Sequence, residues 1–571
     1  MSDLTSTITG PAQVETGQGV ATDQVSQSLS RRSFLTGAGM GATAAAASVM
    51  GPALLVTGSA KADEGGDDSD DDENDVRAER TFKIRVRAAK RERAVPIPDQ
   101  INNGDEREYD TFIGSFSQGL PHNGIGEVDS GAYEALLSAI RSGKPSDFAK
   151  IPLGGKAKLA NPQAGLAFSL EGTDSGQLTI PPAPRLASAE RAGEMVEDYW
   201  MALTRDVPFS EFGNEPLTVA AIADLNKLSD FGGPKSGGKV TPGTLFRGLT
   251  PGDLIGPYLS QFLLTTTALG TLGIKPIYNT YLAGKNYLTD FDSWLAVQNG
   301  QGPFPPNVIS GTTYIKNGRD LGAYVHVDFP YQAHLVATQI LLAKAPLSPS
   351  NPYLAIKNQS GLITFGSGHI QDFLGEVTQC ALKAMWYQKW FVHRTLRPIA
   401  YGGLVHNTMT GAARYPIHRD VVNSAAIKDV FAQYGTYLLP AAYPEGGPQH
   451  PSYAEGHGVV AGACVTLLKA FFDETFVLPN PVVPADDGQS LPLYLGADAG
   501  QITVGGELNK LAHNIALGRD IGGVHWRSDA EQALLLGEQV AISVLRDQRR
   551  TYNEPFEGFT FTKFDGKPTT V

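Results

Sequence analysis

The feature that most limits the fold is the recurrence of apolar residues at intervals of three and four through most of the chain beyond Phe82. Seven stretches show it: 132–140, 190–206, 253–269, 323–345, 370–392, 456–476 and 527–550. That spacing lines one helical face with apolar side chains, whereas the alternation that marks half-buried strands is scarce. The expectation is an all-α fold, a large helical-bundle domain over 82–571 with long loops. Connections such as FGGPKSGGKVTPG at 231–243 and NGQGPFPPNVISGT at 299–312 are long enough to shape pockets between helices.

With 42% apolar and 18% charged residues, the 571-residue chain has ample material for a large core. Of its net charge of −13, nine negative charges belong to the run DEGGDDSDDDEND at 63–75. Like charges with nothing apolar between them repel, so 63–81 reads as an acidic linker without regular structure. No basic surface of the kind that binds nucleic acid is legible. Near the N-terminus, SRRSFLTG pairs Arg31 with Arg32, an uncharged Ala/Gly-rich stretch follows, and Ala60-Lys61-Ala62 forms an Ala-x-Ala pattern. Residues 1–62 therefore resemble a bacterial twin-arginine export signal, which implies a periplasmic or extracellular mature chain. Pro52 interrupts the stretch and argues against a membrane anchor, and no later stretch reads as a span. Two cysteines, Cys380 and Cys464, exclude a disulfide scaffold and leave open two buried thiols or a single bond.

Two motifs fail on their chemistry. Gly233 to Lys239 spells a phosphate-loop pattern, but Val240 stands where magnesium needs a hydroxyl. Ser367-Gly368-His369 lacks a preceding proline turn and reads as loop.

Three other stretches carry related chemistry. KWFVHRTLRP at 389–398 places Lys389, Arg394 and Arg397 at the end of an apolar helix, with Pro398 biasing Arg397 out of helical geometry. HPSYAEGHGVV at 450–460 sets His450 and His457 seven residues apart, with Gly456 where a loop enters a helix. Free amides at such a helix start favour an oxyanion, and His457 can serve it as acid or base. GRDIGGVHWRSD at 518–529 has Arg519, a glycine bend and His525, with Asp529 four residues on. A carboxylate there can hold one ring nitrogen and leave the other as a ligand or nucleophile. Together these groups form a pocket for a tetrahedral or five-coordinate oxyanion.

The order Lys…Arg-Pro, Pro-Ser…Gly-His, Arg-x5-His-x3-Asp resembles the superfamily of vanadium-dependent haloperoxidases and type 2 phosphatidic acid phosphatases. The eight-residue Lys389–Arg397 spacing, PEGGPQHPSY at 444–453, GLPHN at 119–123, GPYLSQF at 256–262 and EPFEGFTFTKFDG at 554–566 are similar to the algal bromoperoxidase branch, over roughly 85–571. The resemblance implies two four-helix bundles, a vanadate cofactor and a homo-oligomer. It also implies that His525 bonds the metal while Lys389, Arg397 and Arg519 neutralise vanadate oxygens. Gly456 would donate an amide, His457 would be the acid–base group, Asp529 would orient His525, and His450 would favour bromide and iodide over chloride. The vanadium then acts as Lewis acid and template, so that hydrogen peroxide oxidises halide to a hypohalous acid equivalent that halogenates organic acceptors.

One position departs from the pattern. Glu455 stands where relatives usually carry a serine that bonds a vanadate oxygen, and Gly518 where they often carry another serine. Two like charges about 4 Å apart repel by roughly 4 kcal/mol at an effective dielectric near 20, so an ionised Glu455 would weaken the anion's binding. Glu455 protonated as a donor, Glu455 turned away onto Arg394 or another base, and an impaired site are the three readings. Two other functions stay open: an exported acid phosphatase with His525 as nucleophile and His457 as general acid, or an oxyanion-binding homologue without turnover.

Overall fold

The computed structural model describes residues 68–571; the stretch at 1–62 that resembles a twin-arginine signal lies outside the described residues. Sixteen α-helices and three two-stranded antiparallel ribbons are present among these residues. The ribbons pair Thr267 with Ile274, Tyr278 with Thr313 and Thr560 with Thr570 at their ends, and none joins another. No helix among the described residues is long and apolar enough to cross a membrane.

The chain begins with helix α1 (Asp68–Arg93) and later forms α2 (Ala189–Leu203), α3 (Gly318–Val327) and α4 (Gln332–Lys344). Helices α5 (Ser367–Tyr387), α6 (Pro398–Thr410), α7 (Gly456–Phe471), α8 (Val504–Ile521) and α9 (Arg527–Gln548) build the site. Helix α7 is apolar on all sides, as its composition demands, and every residue from Gly458 to Phe471 is buried. Helices α5, α8 and α9 surround it. Against α9 the approach is so close that a Cβ on Gly462 would lie 2.2 Å from the Leu534 carbonyl oxygen, and one on Gly537 2.2 Å from that of Val459. Two glycines thus set the spacing of the central helix pair.

Four expectations need correction. Residues 253–269 do not form a helix: Gly256 adopts φ +70°, Arg247 gathers the carbonyls of Gly256 and Pro257, and a short ribbon strand starts at Thr267. Residues 323–345 break into α3 and α4 at Asp328-Phe329-Pro330, where proline cannot continue the helical ladder. Helix α5 starts at Ser367, so the Ser-Gly-His stretch opens a helix. The acidic 63–81 segment joins α1 from Asp68, because acids at its start and Lys90, Arg91 and Arg93 in its last turn both complement the helix dipole. Both cysteines are free; Cys464 is buried beside the Thr378 hydroxyl at 3.4 Å, and Cys380 is half-buried.

Because neither side of the α7–α9 contact can yield without backbone movement, Gly462→Ala is expected to cost about 1–3 kcal/mol in denaturant unfolding. On α4, His334 is 1% exposed, neither ring nitrogen has a partner, and burial pushes it down to about 4. The unfolded chain, with an ordinary histidine value near 6.5, binds the proton first, so stability falls as pH drops from about 6.5 towards 4. His334→Leu should remove about 3 kcal/mol of that acid loss, read as a shallower dependence of unfolding free energy on pH.

Candidate functional site

Lys389 lies in a π-helical turn, Gln388–His393, that follows α5. It is fully buried, and its Nζ donates to the carbonyls of Pro451 and Ser452, each at 2.7 Å. Burial, reinforced by Arg397, holds its ammonium well below the ordinary lysine range. Arg397 is extended at φ −89°, ψ 158° and caps α6, as the following proline requires. Its guanidinium donates to the His450 carbonyl at 2.8 and 3.1 Å and to the Val524 carbonyl at 2.7 Å. It also stands 3.1 Å from His450 Nδ1 and 3.3 Å from His525 Nε2. Arg397 therefore joins all three sequence stretches. Burial, with Arg519 nearby, brings it down to about 9. Arg519, near the end of α8, donates to the Val325 carbonyl at 2.8 Å and lies over the Tyr443 ring at 5.4 Å.

His525 precedes α9 by two residues rather than lying on it, so a shared helical face is not what brings Asp529 to it. Asp529 occupies the third position of α9, where its Oδ2 accepts from the Trp526 amide at 3.3 Å and stands 2.8 Å from His525 Nδ1. The Ser452 hydroxyl donates to the same oxygen. Burial raises Asp529 to about 6 and, with Arg397 and Lys389, keeps His525 well below its ordinary value. The pairing places the proton on Nδ1 and leaves the Nε2 lone pair facing the cations.

Gly456 is the first residue of α7, whose start has no side-chain cap. His457 follows, its Nε2 2.9 Å from Asp328 Oδ1, and its side chain is 25% exposed. A Cβ on Gly456 would meet Trp386 at 3.6 Å, and that indole lies 4.9 Å from the His450 ring. Trp386 thus lines this side of the site. The structure brings Lys389, Arg397, His450, Glu455, Gly456, Arg519, His525 and Asp529 to one region. His457 joins them through the start of α7.

Glu455 is completely buried, and neither carboxyl oxygen has a hydrogen-bond partner. Burial holds its acid well above the ordinary range despite the opposing pull of Arg519. The reading in which it turns onto Arg394 is overturned, since Arg394 forms a two-toothed pair with Glu106 at 2.6 and 2.7 Å. At Gly518 a Cβ would come within 3.1 Å of Val325 and 3.2 Å of Leu321, so close packing of α8 on α3 accounts for the glycine.

Two members of the site were not singled out from sequence. Asp328 is set by the α3–α4 break, which Pro330 signals once the apolar run is not read as one helix. Ser452 was part of the quoted Pro-Ser-Tyr turn, but its bond to Asp529 depends on α9 lying alongside.

Lys389, Arg397 and Arg519 are buried, and none has a carboxylate ion-pair partner among the described residues. Three cations, a helix start and a lone imidazole nitrogen suit a compact oxyanion centred on a metal that accepts nitrogen. Residues 374–554 match the family model described as the VCPO second helical-bundle domain. The vanadium-dependent bromoperoxidase of Corallina officinalis is 36% identical over 595 residues, covering 87% of this chain and 98% of the relative. That of Ascophyllum nodosum is 35% identical over 530 residues, covering 88% and 94%. The homohexameric structure of the second vanadate-dependent bromoperoxidase from A. nodosum superposes with a TM-score of 0.82 at 32% identity, covering 86% of this chain and 90% of that one. With identity of this level along nearly the whole length of its relatives, and the oxyanion pocket built as described, the chain belongs to the vanadium-dependent bromoperoxidase family.

Proposed function

We propose that the chain uses hydrogen peroxide to oxidise bromide or iodide to a hypohalous acid equivalent, which halogenates small organic acceptors, with vanadate as cofactor. The observation that carries this reading is the set of three buried cations, none with a carboxylate ion-pair partner among the described residues, around an imidazole whose Nε2 faces them. Vanadate, when bound, supplies a Lewis acid and template that activates peroxide without changing oxidation state. Lys389, Arg397 and Arg519 would hold its oxygens, Gly456 would donate an amide, and His525 Nε2 would bond the metal. Asp529 keeps the proton on Nδ1. His457, paired with Asp328 and partly open to solvent, would move protons at the anion's exposed side. His450 and Trp386 form the wall that a halide passes, consistent with bromide and iodide rather than chloride.

Glu455 fits this site as a neutral acid. Protonated, it has one O–H to donate and so supplies what a serine hydroxyl supplies. The structural match to a homohexamer supports a homo-oligomeric assembly. The paired arginines and Ala-x-Ala pattern within residues 1–62 support export to the periplasm or beyond.

Purified chain is expected to brominate a phenolic dye with peroxide only after orthovanadate is added, and to hydrolyse nitrophenyl phosphate poorly. Hydrolysis without bromination would overturn the reading. His525→Ala should abolish bromination and vanadate binding together. Glu455→Gln keeps the shape and a donor but cannot ionise. Because the raised acid is neutral below its folded pKa and charged above it, wild type and variant should bind vanadate alike at acidic pH. At alkaline pH the variant should bind more tightly by about tenfold or more. Titrations giving a ratio of one at every pH would show that no charge at Glu455 faces the anion.

A further inference from the structure

Helix α1 is long, and little of the described chain covers it. From Glu73 to Lys83 each residue is exposed, including Val76 at 69% and Phe82 at 62%. Its far end is anchored: Arg91 pairs with Asp547, the Gln177 amide donates to the carbonyls of Glu92 and Val95 at 3.0 and 2.8 Å, and the Thr173 hydroxyl bonds Glu92 at 2.7 Å. The helix is thus an arm fixed at its C-terminal end. Ala78, Phe82, Val86 and Ala89 recur at four, four and three residues and share one stripe.

Charge along this arm is segregated. Residues 68–75 contain six acids and no base, whereas 76–93 contain eight Lys or Arg and two acids. The two ends therefore carry charges of −6 and +6. Two such helices laid parallel set like ends together; laid antiparallel, each acidic end meets a basic stretch. A contact of this kind is isologous, the same surface on both sides of a two-fold axis.

We propose that α1 pairs antiparallel with α1 of a second copy of this chain, forming a two-fold contact in the homo-oligomer. The proposal rests on the oligomeric reading above. With the axis level with Glu79 and Arg80, the acidic start of each arm runs along the basic part of the other. Phe82 and Val86 then leave water. Within one helix, Glu79 and Lys83 approach to 3.2 Å, but both are 58% exposed, so this pair opposes the contact only weakly.

Two charge-reversed variants of the full chain test this. In one, Arg80→Glu, Lys83→Glu and Arg87→Glu bring the basic stretch from +6 to 0, so that the arm carries −6; in the other, Asp72→Lys, Glu73→Lys and Asp75→Lys bring the acidic stretch from −6 to 0, so that it carries +6. Bromination should persist in both, because α1 holds no site residue. In sedimentation velocity each variant alone should show half the wild-type mass, and an equimolar mixture should regain it. Variants that keep the wild-type mass, as they would if residues before 68 covered the arm, overturn the proposal. So does a mixture that stays at half mass. A wild-type chain that sediments as a monomer overturns the oligomeric reading itself.

Discussion

The structure depends on positive charge held in its core without carboxylates to cancel it. Elsewhere in the same interior several buried arginines are matched by carboxylates, Arg394 with Glu106, Arg527 with Glu197 at 2.5 and 2.8 Å, and Arg319 with Asp206 at 2.5 and 2.7 Å, while Arg205 and Arg247 rest on backbone carbonyls. Lys389, Arg397 and Arg519 are held by backbone carbonyls of Pro451, Ser452, His450, Val524 and Val325. A carbonyl dipole offsets part of the desolvation cost of a buried cation and leaves its net charge in place. That charge is available to an oxyanion, and the carbonyls fix where it can be used.

The acids that do approach the site oppose this field less than solvated carboxylates would, because burial favours their protonated form. Glu455, Asp520 and Asp198 are all raised well above the ordinary range, first by burial and then by other acids nearby. Both oxygens of Glu455 and of Asp520 lack hydrogen-bond partners. An ionised carboxylate could not remain so poorly solvated, whereas a neutral acid costs far less there. On this account an acid at Glu455 is compatible with anion binding, because burial, with Asp529 beside it, outweighs the pull of Arg519, Lys389 and Arg397.

Helical content, helices α7 and α9 taken singly and the three motif stretches were legible in the sequence because each rests on local order: apolar period, a proline after Arg397, a glycine at the start of α7. Long-range geometry was not. The 253–269 stretch has helical spacing, but Arg247 and Gly256 draw its carbonyls into a turn, a tertiary effect that spacing does not record. His525 and Asp529 are four residues apart, a helical spacing, yet they meet across the N-terminus of α9 rather than along one face of it. The environment of Glu455 was invisible for the same reason, since Lys389, Arg519 and Asp529 lie far from it along the chain.

Precision at the site follows from how the starts of α7 and α9 are joined. The Glu455 amide donates to the Asp529 carbonyl at 3.2 Å, so the turn that presents Gly456 and His457 is bonded to the turn that presents His525. Beyond it the Gly462 and Gly537 contacts hold the two helices at close range. Helix α9 is fixed in turn to α2, where Glu197 binds Arg527, Glu194 accepts from the Ser528 amide at 2.7 Å, and Arg191 lies 4.1 Å over the Trp526 ring. Trp526 donates to the Leu396 carbonyl at 3.0 Å, one residue before Arg397. The imidazole, the helix start and the central guanidinium are therefore placed by one continuous rigid frame. His457 shares this frame through the start of α7 and has a second support, because its partner Asp328 sits on the break between α3 and α4, three residues after the Val325 carbonyl that holds Arg519.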